Sequence, residues 1–130
     1  MHQLFDSEFL TAEYDPERDM IYLRRTPTPM PGPEELPELF SQLLFALSQC
    51  PGRPLLLDLR LGRGNNHPDF ERAMKEQSLR LHTAFTNTVT LVRTPAGLLH
   101  VQRMARERGE RSPRIFIDEA EALANLEAGR

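Results

Sequence analysis

Three features predict a single-domain α/β fold built on a mixed, mostly parallel sheet of five strands. First, Leu36, Leu39, Phe40, Leu43, Leu44 and Leu47 recur at helical spacing and mark one long apolar helix face. Second, the segment Arg53 to Leu59 (RPLLLDL) holds three successive leucines without alternation. A short apolar run bounded by Pro and Gly suits a strand covered on both faces, as in the centre of a parallel sheet. Third, short strand-like segments alternate with longer helical ones from there to the end. Such spacing implies right-handed crossovers and parallel neighbours.

The elements follow in order. Glu8 to Tyr14 (EFLTAEY) and Met20 to Arg25 (MIYLRR) read as two strands of an N-terminal β-hairpin. Pro16 presets the turn between them, and Asp15 and Asp19 are good turn residues. Five prolines between Pro27 and Pro37 make the next stretch a stiff connector. The leucine helix comes next, with Glu34, Glu35 and Glu38 where negative charge suits the helix dipole, and Pro51-Gly52 stops it. After the central strand, Arg60 to His67 is a loop containing Gly62, Gly64, Asn65 and Asn66, all tolerant of positive φ. A helix is predicted from Pro68 to Phe85, with Phe70, Ala73, Met74, Leu81 and Phe85 on one side. Asn87 to Arg93 (NTVTLVR) is β-branched and alternating, a strand. Thr94-Pro95 has the chemistry of an N-cap and first helical residue, opening a helix to Arg108 that Gly109 caps. Arg114 to Ile117 is a last strand, Glu119 to Leu126 a last helix, and residues 127–130 are expected to fray. The chain is read as one domain, 1–130, with its core over 8–126 and about four helices.

A single domain of 130 residues buries roughly two-thirds of its unfolded surface, enough for a core without disulfides. The hydrophobic fraction of 39% and charged fraction of 27% exclude wholesale disorder. A net charge of −3 argues against nucleic acid or an anionic membrane as partner. The basic cluster Arg103, Arg106, Arg108, Arg111 and Arg114 is interrupted by Glu107 and Glu110 and reads as a solvated helix face before it reads as a phosphate site. The single Cys50 leaves no internal disulfide or multi-cysteine metal site, and a small buried hydrophobe is expected there. The first residues carry neither the positive region nor the apolar run of a signal peptide, and no segment reaches the roughly 20 apolar residues of a membrane span. A cytoplasmic location is expected.

In open α/β sheets, ligands collect at the carboxyl ends of the strands. That edge carries Asp58, Arg60, Arg63, Asn65 and Asn66 after the central strand, Arg93 and Thr94 after the next, and Asp118 after the last. The loop Arg60 to His67 lacks both GxGxxG spacing and a P-loop ending, and Asp69 and Glu71 beyond it repel an anion. The turn at Arg93-Thr94-Pro95-Ala96-Gly97 is a better anion site, although it reads as an ordinary capped helix start before it reads as an anion site. Asp58 is expected to hydrogen-bond the backbone of the following loop. His2, His67, His82 and His100 show no metal spacing, and no serine sits in a GxSxG elbow. No cofactor is implied.

The hairpin, the segment LLLDLRLGRGNN, the turn TLVRTPAG and the ending RIFIDEAEAL together resemble the STAS-like domains, the anti-sigma-factor-antagonist fold related to SEC14-type lipid carriers. The match runs from Phe9 to Leu126 and rests on element order more than on invariant residues. The resemblance implies a regulatory protein-interaction module. Signalling members are switched by phosphorylation of a serine or threonine near the helix after the central strand. Arg60 to Glu71 contains neither residue, so the switch does not carry over; Asn65 and Asn66 occupy the neighbourhood.

The leading expectation is a non-enzymatic interaction domain that uses the Arg60 to Glu71 surface, its partner another protein or a second copy of the chain as a homodimer. The alternative, from the SEC14-like side of the resemblance, is a carrier of an apolar small molecule or lipid. That alternative requires a pocket of a few hundred Å³ between helices and sheet. An enzyme centred on Asp58 with Arg63 or Arg93 ranks third, since no nucleophile–base pair accompanies it.

Overall fold

A computed structural model describes residues 1–130. Its strands are β1 (His2–Asp6), β2 (Leu10–Asp15), β3 (Met20–Arg25), β4 (Leu55–Asp58), β5 (Thr88–Leu91) and β6 (Ile115–Phe116). Its helices are α1 (Leu36–Leu47), α2 (Pro68–Ala84), α3 (Pro95–Glu107) and α4 (Glu119–Ala128). All strands join one sheet in chain order, β1-β2-β3-β4-β5-β6. The first two pairings are antiparallel and the last three parallel.

The expected count of five strands is corrected to six. His2–Asp6 carries little strand signal of its own; pairing with β2 holds it as an edge strand. Between Gln3 and Phe5 the register slips, so two residues face one on β2. This bulge lets the consecutive Leu4 and Phe5 both pack against the main core. The hairpin turn matches its reading: Asp15 Oδ1 accepts from the N–H groups of Glu17 and Arg18, and Asp19 takes φ +52°, a left-handed position that Asp tolerates.

Because β3 to β6 lie in chain order, each right-handed crossover returns on the same side, placing α1, α2 and α3 over one face of the sheet. α4 follows β6 and covers the other. The core is split accordingly. Leu10, Ala12, Ile21, Leu23 and Leu55 of the sheet pack with Leu36, Leu39, Phe40, Leu43 and Leu47 of α1, with Leu81 of α2, and with Phe85 just beyond it. On the opposite face Met20, Tyr22, Leu56, Val89 and Leu91 pack with Ala122 and Leu126 of α4. Leu55 and Leu56 are 0% and 1% exposed and serve different faces, which is the two-sided covering that their lack of alternation predicts. Cys50 is half-buried against the larger cluster.

The C-terminus is not frayed. Arg114 donates to Asn87 Oδ1 at 2.7 Å, to Asn125 Oδ1 at 2.6 Å and to the Asn125 carbonyl at 2.7 Å, and Asn87 donates to the Leu126 carbonyl at 3.1 Å. Arg130 reaches back to the carbonyls of Arg18 and Asp19 in the hairpin turn. Fraying is the expectation from sequence because these partners are distant in it. No helix is long and apolar enough to cross a membrane.

Candidate functional site

A cavity of about 280 Å³ opens at the carboxyl edge of the parallel strands, between the α1–α3 side of the sheet and the helices above it. Leu23, Leu57, Thr90 and Val92 form its floor, Phe70 and Met74 of α2 one wall, and Val101 and Met104 of α3 another. The loop after β4 closes one end through Arg60, Gly62, Arg63, Gly64 and Asn65, and the β5–α3 turn contributes Arg93, Thr94 and Gly97. The cavity explains why Phe70 and Met74, correctly placed on the inward side of α2, are only half-buried. The same holds for Val101 and Met104 on α3, and neither apolar cluster draws a residue from that helix.

The expected rim residues divide between two faces. Arg60, Arg63, Asn65, Arg93 and Thr94 line the cavity; Asp58 and Asn66 do not. Asp58 shares the α4 face with Leu56, and its carboxylate is fully engaged by Arg60. Oδ1 accepts from the backbone N–H and from Nε, each at 3.0 Å, and Oδ2 accepts from Nη2 at 2.9 Å. Arg60 continues to Glu119 at 2.9 Å, so the pair ties the loop after β4 to the start of α4. Burial alone would raise the Asp58 carboxyl, but the hydrogen bonds and charge of Arg60, with Arg24 behind them, outweigh it and hold the pKa below its ordinary value. Asp58 thus makes the expected hydrogen bond to the backbone of the following loop. Asn66 is exposed, while Asn65 Oδ1 accepts from the His67 N–H at 2.9 Å and shapes the loop. Thr94 Oγ1 accepts from the Gly97 N–H at 3.0 Å as the cap of α3. His67, read only as a loop residue, caps α2 by accepting from the Asp69 N–H through Nδ1 at 3.2 Å.

Three lining residues carry more chemistry than their sequence context signals. Arg25 ends β3 on the same side as Ile21 and Leu23, so its guanidinium enters the apolar face. Its Nε and Nη2 are shielded from solvent and find no acceptor in the chain, and burial lowers its pKa. The Arg108 side chain is 8% exposed; it pairs with Glu110, yet its Nε also finds no acceptor. His82 of α2 lines the cavity as well, its pKa lowered by burial. A signal for Arg25 existed: strand alternation from Ile21 through Leu23 puts position 25 on the core face.

The basic cluster 103–114 does not form one face. Arg103 pairs with Glu71 at 3.2 Å and Glu107 at 3.1 Å, Arg108 turns inward, and Arg114 locks α4. No group of three or more His, Cys, Asp or Glu residues is placed to hold a metal ion. Comparison with protein-family models, curated proteins and solved structures gives no match.

Proposed function

We propose that this domain binds a small amphipathic molecule in the cavity at its carboxyl edge, acting as a carrier or a ligand-responsive module. The observation that carries the reading is the cavity itself: half-buried Phe70, Met74, Val101 and Met104 facing polar groups from a loop and a helix start. Convergence of an apolar wall with a few placed polar groups, at the edge where α/β sheets receive ligands, is the usual form of a small-molecule site. Its volume lies just below the roughly 300–1,000 Å³ of sites for drug-sized ligands, so the occupant is compact. The SEC14-like side of the sequence resemblance supports the same reading.

Native mass spectrometry of freshly purified protein tests it. The expected result is a retained small-molecule adduct that leaves on denaturation, or a saturable rise in melting temperature with short-chain amphiphiles. Bare protein that no amphiphile stabilises overturns the proposal.

The interaction reading keeps one specific observation in its favour. Leu61 is 60% exposed within the loop that walls the cavity, beside the exposed Arg63, Asn65 and Asn66. A partner docked there would sense whether the cavity behind the loop is filled. Recovery of the same partners from lysate by wild type and by an Arg63→Glu, Asn65→Ala double variant counts against this surface.

A further inference from the structure

We propose that the ligand is an acid, and that Arg25 seats its head group through the Nε–Nη2 edge of the guanidinium. The inference rests on the small-molecule reading above and adds the ligand's charge and the residue that recognises it. An apolar cavity alone does not distinguish a neutral guest from an anionic one; the arginines do.

Nε and Nη2 of Arg25 are neighbouring donors on one side of the planar guanidinium, and both lie shielded from solvent with no acceptor in the chain. The protein shows elsewhere what this edge fits. Arg60 uses the same two atoms to grip the Asp58 carboxylate, Nε to Oδ1 at 3.0 Å and Nη2 to Oδ2 at 2.9 Å. A guanidinium fork matches the paired oxygens of a carboxylate or a phosphate and nothing apolar. Where Arg60 has its carboxylate built in, Arg25 has none: the residue lines the cavity with this edge covered, and an acid engages the edge as the guanidinium or the loop over it shifts on entry.

The surroundings enclose Arg25 and favour an anion. Gly62 lets the loop pass directly over it: a Cβ at position 62 would stand 3.2 Å from the Cβ, Cζ and Nη1 atoms of Arg25. Five arginines line the cavity, at 25, 60, 63, 93 and 108, against the single acid Glu71, which is itself paired with Arg103. Of the five, Arg25, Arg63 and Arg93 form no ion pair in the chain, and Arg108 adds a second buried Nε without an acceptor. The apolar body of the ligand then lies against Phe70, Met74, Leu57 and Met104.

Isothermal titration and thermal shift with octanoate, octyl phosphate and octanamide provide the test, on wild type and on Arg25→Met and Arg25→Lys. Wild type is expected to bind at least one of the two acids about tenfold or more tighter than the amide, since only the acids supply the paired acceptors. Preference between octanoate and octyl phosphate distinguishes a carboxylate from a phosphate head. Arg25→Met is expected to remove the preference for acid while raising the melting temperature of the free protein, because a buried guanidinium without partners is replaced by an apolar chain of similar length. Arg25→Lys keeps the charge without the fork and should bind acids more weakly than wild type. If octanamide binds as tightly as the acids, or if Arg25→Met keeps the acid preference, the assignment of Arg25 is wrong although the cavity still takes a guest. If none of the three binds, the small-molecule reading itself falls.

Discussion

His82 sits half-buried on α2, its Nδ1 2.8 Å from the Ser78 carbonyl oxygen. A carbonyl only accepts, so Nδ1 carries the ring proton and Nε2 is the free acceptor of the neutral ring. Burial lowers its pKa below the ordinary 6.5, and the Arg108 charge acts in the same direction, while the Ser78 hydrogen bond and Glu110 pull the other way. Arg111 and Arg114 line the same polar recess as His82 and Glu110. The unfolded chain thus takes up a proton here before the folded one does. The contribution to stability is whole above the unfolded value, and it is lost as the pH falls through the folded one. Urea midpoints should therefore drop between about pH 7 and about pH 5 in wild type, and less so in His82→Gln. Parallel pH profiles in the two proteins would rule out His82 as the source. At this scale the sequence was most legible where a residue acts on its own neighbourhood. Asp58 bonding the next loop and Thr94 capping α3 are local chemistry, readable from adjacent positions. The buried arginines were legible only in part: alternation puts position 25 on the core face, but what sets Arg25 and Arg108 apart is the absence of an acceptor among residues distant in sequence.

Among the elements, α3 differs from its neighbours in what holds it. α1 gives five buried side chains to the core, whereas α3 buries only Ala105 and gives neither apolar cluster a residue. The Thr94 cap and the Arg108–Glu110 pair are local to its two ends, and its attachments to other elements are the Arg103–Glu71 pair with α2 and its packing beside β6. Local opening follows sparse apolar contact, so α3 should be the least protected of the three helices on its face in amide hydrogen exchange. Filling the cavity would place apolar surface against Val101 and Met104 and slow exchange in α3 more than in α1. Thr94→Ala should cost about 1 kcal/mol and deepen the contrast, since the first turn loses its side-chain acceptor. Uniform protection across α1, α2 and α3 would show that α3 is not the mobile wall of the site. The order and type of the elements after the hairpin were legible because periodicity, proline and glycine punctuate them clearly. β1 was not, since this short edge strand takes its conformation from pairing with β2. The looseness of α3 was equally hidden: Val101 and Met104 sit at core-like helical spacing whether they meet a packed sheet or a cavity.

Across the whole molecule, charge is distributed against the sign of the total. The chain has 19 acidic residues against 16 basic ones, yet the cavity is lined by five arginines and one glutamate. Net charge, read from composition, points away from anionic partners; the fold reverses that locally by gathering arginines from β3, the loop after β4, the β5–α3 turn and the end of α3. Exposed and buried members of the set should act on different steps of acid binding. Arg63 and Arg93 are exposed, so their fields reach the incoming ligand through solvent and are screened by salt. Raising ionic strength from 10 mM to 0.1 M shortens the screening length from roughly 30 Å to roughly 10 Å. The association rate of a bound acid should fall over that range while its dissociation rate hardly changes. Reversing both rim charges with Arg63→Glu and Arg93→Glu should lower association and abolish most of the salt dependence. Arg25 acts after entry, through contacts made only in the desolvated site, so Arg25→Met should leave association nearly intact and speed dissociation. Stopped-flow measurement of both rates separates the two roles. An association rate indifferent to salt in wild type would mean that the arginines around the cavity do not steer the ligand, and that their gathering there serves the fold alone.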